Sequence, residues 1–171
     1  EFVESPGITW TDARDAAAQK SLNGISGYLA TVTSEAENNF IAAKLQGEGW
    51  MGASDAEEDD VWKWVTGPEA GMQFWLGKAD GNTVNGMYAN WDEGEPNDFR
   101  GVGEKYAHFR ADEGRVGKWN DYPVNNSIVR GYVVEYGDPN CKPDFTDEAA
   151  ITITVTCTDT DGDGWCDAID N

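Results

Sequence analysis

A chain of 171 residues with 32 acidic side chains against 12 basic ones carries a formal charge of −20, which argues against nucleic acid or anionic membrane as a partner. Its length is enough to bury a core without disulfide staples. No apolar stretch in these residues could span a membrane, and none is expected to act as a signal peptide. A first strand is expected at the N-terminus. Thr9 and Asp12 then form a capping box for a helix running to about Lys20, with Trp10, Ala13 and Ala17 on one face, and Ser34 with Glu37 forms a better one for a second helix ending near Gly47. Short aromatic and β-branched runs separated by Gly, Asn and Asp clusters read as strands and loops. The span from about Met72 to Arg130 has few periodic segments and is expected to be largely loop. His108, in the alternating run Tyr106-Ala107-His108-Phe109, reads as structural. Most of the eight tryptophans are expected to be core and loop staples, because large aromatics bury area and anchor irregular chain. Further on, Ile151, Ile153 and Val155 alternate with Thr152, Thr154 and Thr156 as in a strand.

Glu95-Pro96-Asn97, followed by Glu104 and by Trp119-Asn120-Asp121, supplies three carboxylates and two amides. Calcium takes about six to eight oxygen ligands, so five side chains leave room for guests. A sugar hydroxyl that gives a lone pair to calcium still has a proton to donate and a lone pair to fill. Glu95 can accept that proton and the Asn97 amide can donate to the oxygen, while Glu104 and Asn120 can treat a neighbouring hydroxyl the same way. A cis Glu95-Pro96 bond would turn the flanking side chains toward one point. Taken singly, each string is an ordinary surface turn; the combination in this order is what points to a calcium and sugar site.

The tail holds a second motif. Asp159, Asp161, Asp163, Asp167 and Asp170 alternate with small residues around Gly162 and Gly164, much as in an EF-hand loop, though Asp170 stands where that loop has glutamate. All three cysteines, Cys141, Cys157 and Cys166, lie in this tail; the odd count leaves one over, and pairing of Cys141 with Cys157 is preferred.

From about Phe2 to Tyr136 the chain resembles the C-type lectin-like domain, through Ile8-Thr9-Trp10-Thr11-Asp12-Ala13-Arg14, Tyr28-Leu29-Ala30-Thr31-Val32, Trp50-Met51-Gly52-Ala53, Trp62-Lys63-Trp64-Val65-Thr66-Gly67, Asn90-Trp91 and Gly131-Tyr132-Val133-Val134-Glu135-Tyr136. The tail resembles a thrombospondin type 3 repeat. The resemblance implies an α+β fold with two helices, small antiparallel sheets and a long calcium-binding loop region over residues 1–137, then an irregular extension over 138–171 with a strand and a calcium loop. It implies Glu95, Asn97, Glu104, Asn120 and Asp121 as ligands of a principal calcium, Asp121 adding its backbone carbonyl. The Glu-Pro-Asn form is associated in the family with mannose, fucose, glucose and N-acetylglucosamine. Glu104 sits one residue further from Asn97 than the family pattern expects. Phe99 and Arg100 fall where side chains would meet the rest of the sugar ring, with plain solvent exposure an equal alternative. Asp55, Asp59 and Asp98, sharing Glu104, align with an auxiliary calcium, so two or three ions are expected including the tail. The family's two disulfides are replaced here by Ala17 with Val134 and Tyr106 with Val124.

The expected function is therefore a lectin module, taking glycans with terminal mannose- or fucose-type sugars through calcium, extracellular and part of a longer secreted or surface protein whose other domains are its neighbours. The alternative is a calcium-stiffened domain that binds protein, peptide or ice, since fold does not fix function. An enzyme is not expected: calcium lowers the pKa of bound carboxylates and makes them poor general acids, and no serine or cysteine nucleophile motif is present. Asn125-Asn126-Ser127 is a glycosylation sequon.

Overall fold

The computed structural model describes residues 1–137. Two helices, α1 (Trp10–Ala18) and α2 (Glu35–Ala42), begin where the sequence places them. The Thr9 hydroxyl accepts from Asp12 N at 3.1 Å and donates to the Asp12 carboxylate at 2.7 Å. Ser34 Oγ accepts from Glu37 N at 3.2 Å, but the Glu37 carboxylate reaches back one residue further than a capping box would, to Thr33 N at 2.7 Å. Trp10, Ala13 and Ala17 form the buried face of α1 as expected. The second helix stops at Ala42 rather than near Gly47: Lys44 N and Leu45 N bond three residues back, and this tightened last turn carries the chain into the central strand.

The strands are β1 (Phe2–Glu4), β2 (Ser21–Leu22), β3 (Ile25–Leu29), β4 (Gly49–Ser54), β5 (Val61–Trp64), β6 (Gln73–Leu76), β7 (Asn82–Thr83), β8 (Tyr106–Phe109), β9 (Trp119–Tyr122) and β10 (Gly131–Tyr136). They link into one network along β2-β3-β10-β4-β5-β6-β7, with β1 on β10 and the β8–β9 ladder on β4. Its pairs are antiparallel except that β10 runs parallel to β4, so the sheet is mixed. Four strands, β6 to β9, fall in the stretch expected to be mainly loop; at two to four residues they are too short to show a period.

Every residue of β4 is buried, because it is flanked by β10, β5 and β8 and covered on its faces. A methyl on Gly52 would fall 1.9 Å from Thr66 Oγ1 and 2.7 Å from the Leu29 carbonyl oxygen, which that hydroxyl bonds at 2.7 Å. Gly52→Ala is therefore expected to cost about 1–3 kcal/mol in urea titrations, the usual range for overpacking.

One core joins Trp62, Trp64, Phe74, Trp91 and Trp119; the other joins α1 with Trp50, Tyr132 and Val134. Among the described residues six tryptophans are buried, as expected of staples. Ala17 and Val134 sit together in the second core, with Tyr106 and Val124 packed against it and Tyr106 stacked on Trp10 at 4.6 Å, so apolar packing fills both places assigned to absent disulfides. His108 is fully buried, stacked on Tyr122 at 4.1 Å, and burial pushes its pKa down to about 3, consistent with a structural side chain.

Near α2, Glu69 and Glu135 meet at Thr31, and the charge of Glu37 is close enough to act on Glu135. Tyr28 OH and Thr31 N donate to Glu135 at 2.8 and 3.0 Å, and Thr31 Oγ1 donates to Glu69 at 2.8 Å. No helix among the described residues is long and apolar enough to cross a membrane.

Candidate functional site

The loop that carries Glu95 is stapled at its stem to β9. Trp119 N donates to Asn90 O at 3.0 Å, Asp92 N donates to Trp119 O at 2.8 Å, and Trp91 bridges to Trp119. From this stem the Glu95-Pro96 peptide is cis, as expected. Asp121 then pins the next two residues: Asn97 N donates to its two carboxylate oxygens at 3.0 and 3.1 Å, and Asp98 N donates to one of them at 2.8 Å. The Asn97 side-chain amide donates to the Glu95 carboxylate.

Beyond Asn97 the chain makes a short 3-10 turn, Phe99–Gly101, with Asp98 and Arg100 at φ 45° and 60°. Asp98 Oδ1 closes this turn by accepting from Gly103 N at 2.9 Å and Glu104 N at 3.0 Å, while Glu104 accepts from Phe99 N at 2.6 Å. Asn120 and Asp121 are fixed differently, by their place in the β8–β9 ladder opposite His108 and Ala107.

Hydrogen bonds thus tie Glu95 and Asn97 to Asp121, and Asn120 adjoins Asp121 on β9. Glu104, Asn120 and Asp121 are buried, and Glu95 and Asn97 are half-buried. Among the described residues no group of three acidic, histidine or cysteine side chains converges as a ready metal cage. The carboxylates turn instead to amides and backbone N–H groups. Two features show what the arrangement lacks. The Oδ1 atoms of Asn97 and Asn120 are buried with no donor, a costly state for an amide oxygen. Burial, with the charges of Asp121 and Glu104, pushes Glu95 up to about 8. Burial first, opposed by the Phe99 N–H and aided by the charges of Asp121 and Asp98, pushes Glu104 up to about 7, and burial raises Asp121 as well. Acceptor oxygens crowd here without enough positive charge, and a hard cation fits that donor set.

Phe99 is 58% exposed with the Arg100 guanidinium 4.9 Å above its ring, and the neighbouring Val102, which the sequence reading passed over, is 59% exposed. The side chains assigned to an auxiliary ion have protein partners of their own. Asp98 closes its own turn, Asp59 is exposed, and Asp55 is buried with one oxygen on Asp60 N at 2.9 Å and the other without a partner. Between Asp55 and Asp59 stands Lys105, which the sequence reading also missed, although a lone cation beside Glu104 in so acidic a chain was a signal. Asp159, Asp161, Asp163, Asp167 and Asp170, the cysteines and the Ile151–Val155 strand pattern lie outside the described residues.

No protein-family model matches the chain. Over 153 residues, 90% of its length, it is 43% identical to halomucin of Haloquadratum walsbyi, of which it spans 2%. Over 120 residues it is 32% identical to human C-type lectin domain family 10 member A, with 67% of this chain covered and 30% of that one. The cow C-type carbohydrate-recognition domain of CD23, solved in the presence of a GlcNAc2Man3 oligosaccharide, superposes with a TM-score of 0.57 at 25% identity over 81% of this chain and 87% of that one. A calcium-independent type II antifreeze protein shares the fold with a TM-score of 0.54 at 22% identity, covering 78% of this chain and 82% of that one. The chain therefore corresponds to a small part of the two curated relatives, and what they share with it is a domain: the described residues have the C-type lectin fold, and the chain carries a C-type lectin-like domain.

Proposed function

We propose that this domain is a calcium-dependent carbohydrate-binding module, with Glu95, Asn97, Glu104, Asn120 and Asp121 holding the ion. The observation that carries the reading is the pair of buried, donor-less amide oxygens on Asn97 and Asn120 among carboxylates whose pKa burial and mutual repulsion push upward. Bound calcium would supply a point to which two neighbouring sugar hydroxyls each give a lone pair. Around it, the carboxylates of Glu95 and Glu104 accept the hydroxyl protons, and the amides of Asn97 and Asn120 donate to the hydroxyl oxygens. That order of acid and amide suits mannose- and fucose-type sugars. Phe99 and Arg100, exposed at the next turn, are the side chains assigned to the remainder of the glycan on this reading.

The module binds and does not catalyse, and it acts outside the cell within a longer secreted or surface protein; the likeness to a short part of halomucin supports that setting. The tail aspartates are proposed to hold a further calcium. The likeness to a calcium-independent antifreeze protein favours a second reading, an interaction domain that takes ice, peptide or protein on the same loop surface.

Calorimetric titration with mannose, fucose and galactose, in calcium and again in EDTA, tests both. Mannose or fucose should bind only with calcium, and Asn97→Asp, which replaces a donor by an acceptor, should weaken that binding at least about tenfold. Calcium binding without any sugar binding would leave the interaction domain as the better account.

A further inference from the structure

Lys105 immediately follows Glu104, and both its backbone and its side chain are tied to the end of β4. Its carbonyl accepts from Ser54 Oγ at 2.8 Å and from Asp55 N at 3.3 Å. Its ammonium lies 2.9 Å from Asp59 Oδ1 and 3.5 Å from Asp55 Oδ2. Asp55 is only 3% exposed and keeps its other oxygen without a partner. A buried carboxylate stripped of counter-charge is expensive, and a divalent ion is one remedy. Here an ammonium stands in that position.

We propose that the Lys105 ammonium is a built-in replacement for the auxiliary calcium expected at Asp55 and Asp59, and that by bracing this corner it positions Glu104 for the principal ion. A lysine at this place supplies a single charge and no vacancy. The β4–β5 turn and the loop bearing Glu104 are then joined whether or not free calcium is present. Asp98 is consistent with this, since its Oδ1 closes its own turn onto Gly103 N and Glu104 N. The positioning of Glu104 rests on the calcium reading above, whereas the bracing of Asp55 and Asp59 by Lys105 stands on the contacts alone.

The test counts calcium ions bound per full chain, by equilibrium dialysis with metal analysis, for the native protein, Lys105→Met and Lys105→Arg. Any ions held by the tail are common to all three and cancel in the difference. Lys105→Met is expected to gain one ion relative to native, to bind the principal ion about tenfold more weakly, as removal of a supporting contact does, and to lose thermal stability in EDTA that calcium restores. Lys105→Arg, keeping the charge, should stay at the native count. An unchanged count in a folded Lys105→Met protein overturns the replacement. If Lys105→Met does not fold even in calcium, Asp59→Asn decides: the Lys105 ammonium loses its exposed carboxylate partner, so the native count must persist while stability in EDTA falls, and an unchanged stability overturns the proposal. A native protein that binds no calcium with residues 1–137 would remove the lectin reading, yet a gained ion in Lys105→Met would still sustain the replacement.

Discussion

Trp119→Ala is expected to leave the domain close to unfolding at room temperature. The indole is fully buried and lies edge-on to Trp64, Phe74, Tyr88 and Trp91 at 5.7–5.9 Å. Its Nε1 donates to Asn38 Oδ1 at 2.8 Å, and the Asn38 amide donates in turn to Gly117 O at 3.1 Å. Truncating a buried aromatic of this kind costs about 3–5 kcal/mol, and the stranded Asn38 oxygen adds about 1–3 kcal/mol. Against a typical total of about 5–15 kcal/mol, little remains. Urea denaturation followed by circular dichroism measures the loss; a cost under about 1 kcal/mol would mean that the core repacks freely around the gap. Because Asn120 and Asp121 are the next two residues on the same strand, surviving folded protein should also bind calcium more weakly.

Acidification should stabilise the domain through Glu135. Burial, followed by the charge of Glu37, pushes this carboxyl up to about 8, against 4.5 for an ordinary glutamate. A folded-state pKa above the unfolded one means that the folded chain binds the extra proton between those two values. The stability it confers is complete below the unfolded value and is lost as pH rises through the folded one. In saturating calcium, the melting temperature at about pH 5.5 is therefore expected to exceed that at about pH 9 by several degrees. Glu135→Gln, which keeps an acceptor for Thr31 N and removes the charge, should be the more stable form at the alkaline end and should flatten the profile. If native protein and Glu135→Gln show the same slope, the carboxyl is ionised throughout and its neighbours compensate the charge.

Much of this was legible in the sequence, and the parts that were not share a cause. The helix starts at Thr9 and Ser34 are local signals, carried by hydroxyls three residues from the N–H they accept, and they stand in the structure as read. The buried tryptophans and the packing at Ala17 and Val134 were legible from residue type. The β8–β9 ladder was not, since neither strand is longer than four residues and their pairing spans the intervening loop. The parallel contact of β10 with β4 joins residues about eighty apart in sequence and leaves no periodic mark. The role of Lys105 leaves no local mark for the same reason: the carboxylates it serves lie some fifty positions earlier in the chain. The order of acids and amides is a local pattern, whereas the contacts of Lys105 with Asp55 and Asp59 exist only as three-dimensional distances.

The antiparallel seating of β1 on β10, with Phe2 opposite Val133 and Glu4 opposite Gly131, carries a mechanical consequence. Glu1 and Val134 exchange two backbone hydrogen bonds, so the point where the chain enters lies beside the strand by which it leaves. β10 is held on its other flank by β3 and β4, whereas β1 pairs with β10 alone. Tension applied across these two points would peel β1 away one bond at a time, starting from Glu1, rather than shear the ladder along its length. Under load the domain is expected to yield first at this seam, far in the sequence from the cis-proline loop.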